Sequence, residues 1–150
     1  MEPLTISLEL ACSADHAFRV YTERASLWFP VQHTMTRVPG LAVVFEPRVG
    51  GRILERTPDG AEADWGTITA WEPPARLAYD WFIATDRANA TQVEIRFLAL
   101  APDRTRMEIV HGGWDRLGDL GRPWRDANLG GWNGVLPSFQ AVAEAGSTAR

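Results

Sequence analysis

Residues 129–143 read LGGWNGVLPSFQAVA and indicate a long helix that the rest of the chain must cover. Its apolar side chains recur at the spacing of one helix face: Leu129, Trp132, Val135, Leu136, Phe139, Val142 and Ala143. This face is wider than a helix on a flat surface needs, so we expect a concave surface to hold the helix. Pro137 removes one backbone hydrogen bond, which predicts a kink beside the apolar face.

The segments that precede this helix supply the concave surface. Leu4 to Leu10 alternate apolar and polar side chains, the pattern of a strand with one buried face. From residue 41 onward the same period returns in short runs separated by glycine and proline turns. The predicted strands are 41–46, 52–56, 63–71, 76–83, 91–100 and 105–111. They are joined as hairpins, which predicts an antiparallel sheet with one apolar face.

The remaining segments are shorter or irregular. Ser13 is a good N-cap for a helix over Ala14 to Thr22, and one further helical turn is expected over Ala25 to Trp28. Residues 112–125 are rich in glycine, tryptophan and charge, which predicts a long loop with a helical turn near 115–120. The last residues, 145–150, are expected to form a frayed tail.

This order of elements predicts an α+β fold, a curved antiparallel sheet wrapped around a long C-terminal helix. A chain of 150 residues has the size of one domain, and no repeat or linker divides residues 1–150. A sheet that curves around a helix without filling the space between them leaves a hydrophobic cavity, where such domains carry ligands.

The composition excludes several classes of function. A net charge of -4 without a basic cluster argues against nucleic-acid partners, since these require a basic face. All fifteen basic residues are arginine. The absence of lysine rules out a Walker A phosphate loop, a Schiff-base lysine and a catalytic serine–lysine pair.

The sequence also lacks the patterns of a disulfide, a signal peptide, a membrane span and a metal site. Cys12 is the single cysteine, so neither an internal disulfide nor a cysteine-based metal site is available. The N-terminus lacks the pattern of a signal peptide, and residues 127–143 are too polar to span a membrane. His16, His33 and His111 are too widely spaced to suggest a metal site. We expect a cytoplasmic protein with no cofactor, no metal and no membrane partner.

The candidate site consists of aromatic and histidine side chains near the expected cavity. His111 shares its strand parity with Met107 and Ile109, so an imidazole there would act as an acid, a base or a ligand anchor, unless it is a core histidine bonded to backbone. The facing of Trp65 and Trp71 stays open, because Gly66 allows a bulge. The candidate ligand-binding residues are Trp28, His33, Phe45, Trp81, Phe97, His111, Trp114, Trp132 and Leu136.

Several blocks along the chain also resemble a known family. In order they are 17–22 with 28–30, 45–52, 65–67, 71–77, 93–97, 105–111, 113–114 and 131–136. Together they resemble the activator of heat-shock protein 90 ATPase homologues, a branch of the START/Bet v-like (SRPBCC) superfamily. The resemblance implies a helix-grip fold with an elongated hydrophobic cavity. It implies no shared catalytic motif, because the superfamily includes carriers, metabolite binders, cyclases and chaperone regulators.

Three functions follow from these observations. The leading hypothesis is a domain that binds a small apolar or aromatic metabolite or lipid, because the interior is rich in tryptophan and no catalytic set is recognisable. An enzyme is disfavoured, but a polyketide cyclase or aromatase that uses His111 is the first alternative. Regulation of a heat-shock chaperone ATPase is the second, and a chaperone partner is disfavoured for an acidic domain without a second module. The sequence leaves a homodimer open.

Overall fold

The computed structural model describes residues 1–148, with side chains described through residue 145. Within this range seven strands form one antiparallel sheet. They are β1 (Leu4–Leu10), β2 (Ala42–Phe45), β3 (Arg52–Arg56), β4 (Glu62–Glu72), β5 (Arg76–Trp81), β6 (Thr91–Ala101) and β7 (Arg104–Gly112). The strand order is β1-β7-β6-β5-β4-β3-β2. All neighbouring strands are consecutive in sequence except β1 and β7, which pair across the length of the chain.

Three α-helices pack on the sheet: α1 (Ala14–Glu23), α2 (Ala25–Trp28) and α3 (Gly121–Thr148). The Ser13 side chain accepts a hydrogen bond from the backbone N–H of His16 at 3.1 Å and so caps α1 as predicted. Helix α3 is tied to the other two helices by the Ser138 hydroxyl, which donates to the carbonyl of Trp28 at 2.6 Å, and by His16, which contacts the carbonyl of Ala143 at 3.0 Å. The sheet curls around α3, which confirms the predicted helix-grip fold.

The core lies on the face predicted from strand parity. Val93, Ile95 and Phe97 of β6 are buried and pair in register with His111, Ile109 and Met107 of β7, which are buried as well. From α3 the apolar side chains Val135, Leu136, Phe139 and Ala143 complete this core, as the helical periodicity predicts. Pro137 lies on the exposed side of the same helix.

Two bulges in β4 explain why alternation could not orient its tryptophans. Trp65 is an extra residue opposite the step from Ile53 to Leu54, and Thr69 is a second one opposite the step from Tyr79 to Ala78. Because each bulge inserts one residue, the parity of the strand changes twice. Trp65 is fully buried, and Trp71 packs its ring edge-on against Phe18 at 5.2 Å between ring centroids.

The structure corrects four sequence-based expectations. Residues 121–125 belong to α3 and not to a loop, because Pro123 sits in the first helical turn, where its missing N–H is not needed. Leu129 is 37% exposed rather than core-facing, because this half of α3 extends beyond the filled core. Residues 145–148 continue the helix, and residues 149 and 150 lie outside the described part. Strand β5 ends at Trp81, two residues early, because Ala84 turns the chain with φ 62°.

Candidate functional site

A pocket of about 200 Å³ lies between the first half of α3, the junction of α1 and α2, and the end of β5. It is open to solvent on one side, and half of its lining residues are tryptophan, tyrosine or phenylalanine. An enclosed apolar cavity of about 150 Å³ holds a benzene molecule, so this volume suits one or two fused rings. The half of α3 that carries the exposed Leu129 forms one side of the pocket through Trp124, Asn128 and Trp132.

Tryptophan side chains form the walls. Trp28 and Trp132 are held by their indole N–H groups, which donate to the carbonyl of Val20 at 2.9 Å and to Nδ1 of His111 at 3.0 Å. Trp81 stands beside the Tyr79 ring at 5.6 Å between centroids. Large flat rings that are fixed in place contribute most to the binding of another flat ring, because little side-chain entropy is lost on contact.

Two tyrosines form the buried end of the pocket. Tyr21 comes from α1 and Tyr79 from β5, and their hydroxyl oxygens lie 2.8 Å apart. Burial raises the pKa of both phenols well above their ordinary value. Both hydroxyls are therefore protonated throughout the physiological pH range.

His33 and Asn128 are the polar side chains at the pocket rim, and both are half-buried. The Asn128 amide donates to the carbonyl of Trp124 at 2.9 Å, which leaves its oxygen as an acceptor. The His33 ring lies against Gly134 of α3, where an added Cβ would come within 2.7 Å of Nε2. A glycine at position 134 therefore makes room for the histidine.

Two backbone positions at the pocket rim are unusual, one because of its conformation and one because it has no side chain. Ala84 has φ 62°, a left-handed conformation that costs a residue with a side chain about 1–3 kcal/mol and that concentrates at functional sites. Gly131 of α3 also lines the pocket, and a Cβ built on it would meet no atom within 4 Å. The missing side chain of Gly131 therefore leaves open space in the pocket.

His111 lies behind the pocket and not in its wall. It is fully buried, and its Nδ1 accepts the Trp132 indole proton, so the ring proton sits on Nε2 and is donated to the Thr91 hydroxyl at 2.7 Å. The Trp114 ring stacks on it at 4.5 Å. Burial lowers the pKa of His111 to about 3, so the imidazole is neutral at physiological pH.

The nine predicted ligand-binding residues thus fall into two groups. Four of them line the pocket: Trp28, His33, Trp81 and Trp132. The other five pack in or against the core: Phe45, Phe97, His111, Trp114 and Leu136. His16 does not line the pocket and is half-buried against α3. Ligand binding by any of them stays a prediction.

Ten of the fourteen lining residues were not among the predicted ones, and five of these ten are aromatic or polar: Tyr21, Phe29, Tyr79, Trp124 and Asn128. Tyr21 and Tyr79 lie on the buried faces of their elements, where their hydroxyls were the available signal of a polar function. Trp124 and Asn128 precede the apolar repeat of α3, so the periodicity did not include them.

Neither a metal site nor a membrane span is found in the described part of the chain. Residues 1–148 contain no group of three histidine, cysteine, aspartate or glutamate side chains that could hold a metal ion. Over the same residues, no helix combines the length and the apolar character that crossing a membrane requires.

Comparison with known proteins places the chain in a family. The profile of "Activator of Hsp90 ATPase homolog 1-like protein" matches residues 11–144. An anthrahydroquino-γ-pyrone synthase, Txn09, is 34% identical over 82% of this chain and 84% of its own, with a TM-score of 0.59. The self-sacrificing resistance protein CalC from Micromonospora echinospora is 25% identical over 99% of this chain and 98% of its own, with a TM-score of 0.77.

A more distant likeness shows the fold alone. An HSP90 activator from Plasmodium falciparum is 16% identical over 75% of this chain and 73% of its own, with a TM-score of 0.54. No curated protein sequence matches the chain. The match to the family profile covers most of the chain, and the chain belongs to the Activator of Hsp90 ATPase homolog 1-like family.

Proposed function

We propose that the pocket binds a small, flat aromatic molecule. The observation that carries the proposal is the pocket wall, in which four tryptophans and two tyrosines surround about 200 Å³. An apolar pocket with a few polar groups at its rim is the usual form of a small-molecule site. A ligand of one or two rings fits inside, and a larger one extends through the open side past His33 and Gly131.

The relatives support an aromatic ligand. The synthase that is 34% identical is named for an anthrahydroquino-γ-pyrone, a fused-ring aromatic compound. A shared fold does not define a substrate. The support for an aromatic ligand therefore rests on the sequence identity to this synthase and on the aromatic pocket wall together.

The two alternatives have weaker support. His111 does not favour a cyclase that uses this residue, because its ring is neutral, already hydrogen-bonded at both nitrogens and absent from the pocket wall. Regulation of a chaperone ATPase rests on the family description and on a fold shared at 16% identity.

Two neighbouring glycines of α3 provide a matched test of the proposal. Gly131 lines the pocket, Gly130 does not, and a Cβ at either position meets no atom within 4 Å. Both substitutions to leucine remove a glycine from a helix interior, which favours folding by about 0.5–1 kcal/mol. Gly131→Leu fills the pocket, whereas Gly130→Leu leaves it unchanged.

The probe is 1-indanone, a flat two-ring ketone, titrated by calorimetry. We expect the wild-type protein and Gly130→Leu to bind it with the same affinity. In Gly131→Leu the affinity falls about ten-fold or more, which is a loss of at least about 1.4 kcal/mol. Equal affinities in all three proteins, or no binding to the wild type, would contradict the proposed function.

A further inference from the structure

The chain contains two tyrosines, and the fold brings both to the buried end of the pocket. Tyr21 and Tyr79 are 58 positions apart in sequence, yet their hydroxyl oxygens are 2.8 Å apart and the two residues are 3% and 2% exposed. Their rings are surrounded by other aromatic side chains, with Phe45 at 5.7 Å from Tyr21 and 6.2 Å from Tyr79.

The hydrogen bonds of this tyrosine pair are incomplete, because one hydroxyl proton has no acceptor in the described part of the chain. Two hydroxyl groups carry two protons, and the hydrogen bond between Tyr21 and Tyr79 uses one of them. Among residues 1–145, no other hydrogen-bonding partner of either phenol is found, so the second proton has no acceptor. A buried donor without an acceptor is costly, and a ligand that supplies the acceptor removes that cost.

The pair is a donor and not an anion. Burial holds the pKa of both phenols above the ordinary value, so neither hydroxyl gives up its proton near neutral pH. Within the pair, the hydroxyl that accepts the hydrogen bond keeps its own proton free, and accepting the bond polarises it. The apolar surroundings strengthen any hydrogen bond that this hydroxyl then donates.

The other polar groups of the pocket are placed differently. His33 and Asn128 lie at the half-buried rim, and one of the two Asn128 amide protons already serves the carbonyl of Trp124. The tyrosine pair is therefore the donor that a ligand meets when its ring system is inserted between the tryptophans.

We infer that the Tyr21–Tyr79 pair donates its spare hydroxyl proton to a carbonyl oxygen of the ligand, and that the pocket selects aromatic ketones, quinones or pyrones over hydrocarbons of the same shape. This inference rests on the proposed function and names the class of its ligand. The selected molecules carry one carbonyl at the end of a flat ring system.

A pair of matched probes tests the inference. Indane has the shape of 1-indanone but a CH₂ group in place of the carbonyl. Both are titrated into the wild-type protein and into the double variant Tyr21→Phe, Tyr79→Phe. Replacing both partners of a buried hydrogen bond by apolar groups of the same shape is nearly neutral for stability, so the double variant is expected to fold.

In the wild-type protein we expect 1-indanone to bind about five-fold more tightly than indane, the gain of one net hydrogen bond. In the double variant the two affinities become equal, while the affinity for indane stays within about two-fold of the wild type. Equal affinities in the wild type, or a ketone preference that persists in the double variant, overturn the inference and leave the proposed function standing. If the wild type binds neither probe, the proposed function fails and the inference fails with it.

A spectroscopic readout separates donation from mere packing. Because the chain has two tyrosines, labelling tyrosine with ¹³C at Cζ gives two resonances, both from this site. Saturation with 1-indanone is expected to shift at least one of them in the direction of stronger hydrogen-bond donation, and indane is expected to shift neither in that direction. The same shifts with both probes would overturn the inference.

Discussion

At the residue scale, His111 shows how burial converts a titratable side chain into a structural one. Both ring nitrogens are occupied, by the Trp132 indole and by the Thr91 hydroxyl, and Trp114 donates its indole proton to the His111 carbonyl at 3.0 Å. This network fixes one wall of the pocket, because Trp132 lines it. A histidine with these partners orients the tryptophan.

The low pKa of His111 predicts a particular dependence of stability on pH. Burial lowers its pKa from the ordinary 6.5 to about 3 in the folded protein. As the pH falls below about 6.5, the unfolded chain therefore binds a proton that the folded protein does not, and stability is lost. Between pH 7.5 and pH 5 this residue costs about 2 kcal/mol of unfolding free energy.

Urea unfolding of the wild type and of His111→Gln at several pH values measures this effect. The variant lacks the titrating ring, so we expect its stability to fall by about 2 kcal/mol less than that of the wild type over the same pH range. The comparison uses the pH slope and not the stability itself, which the lost hydrogen bonds lower as well. Parallel slopes would show that His111 takes up a proton in the folded protein as readily as in the unfolded chain.

At the element scale, a buried carboxylate joins the sheet to the segment after His33. Glu55 of β3 is fully buried and accepts hydrogen bonds from the backbone N–H groups of Met35 at 2.6 Å and Thr36 at 3.0 Å. The Thr36 hydroxyl and the Trp65 indole donate to it as well, at 2.6 Å and 2.8 Å. Burial alone would raise the pKa of Glu55, but these hydrogen bonds outweigh burial and hold the pKa below its ordinary value.

Removing this charge is expected to loosen one side of the pocket. Glu55→Gln replaces one acceptor oxygen by an amide that faces donors, and the loss of two charge-assisted hydrogen bonds costs about 2–4 kcal/mol. Hydrogen exchange of the Met35 and Thr36 amides should accelerate. Glu62→Gln is the control, because Glu62 pairs with Arg52 and Arg56 on the surface, where an ion pair contributes about 0–1 kcal/mol. Equal losses in the two variants would contradict this role of Glu55.

Elements with a clear period were predictable from the sequence, and elements without one were not. The strands of the hairpins alternate apolar and polar residues, and their observed bounds lie within two residues of the predicted ones. The start of α3 was missed because residues 121–128 carry charges, a proline and few apolar side chains, as expected of a helical segment that packs on little core. An apolar period in the sequence indicates which helix face is buried in a core. The first half of α3 borders an open pocket and not a core, so it has no such period.

At the scale of the whole molecule, the site depends on contacts that no local pattern contains. Tyr21 and Tyr79 each follow the apolar parity of their own element, so each alone is predicted as a core residue. Their hydroxyls meet because the sheet curves and brings β5 under α1. In the same way His111 was predicted to face the apolar side, which it does, but Trp132 lies between it and the pocket.

We propose that an aromatic ligand occupies the space between α3 and the sheet. The seven tryptophan indole N–H groups are natural reporters, since Trp28, Trp81, Trp124 and Trp132 line the pocket whereas Trp65, Trp71 and Trp114 do not. The most direct measurement is an ¹H–¹⁵N spectrum of these indoles during titration with 1-indanone. We expect saturable shifts that are largest for the four pocket tryptophans. Shifts that are largest for Trp65, Trp71 or Trp114, or no shift at all, would show that the ligand does not bind between α3 and the sheet.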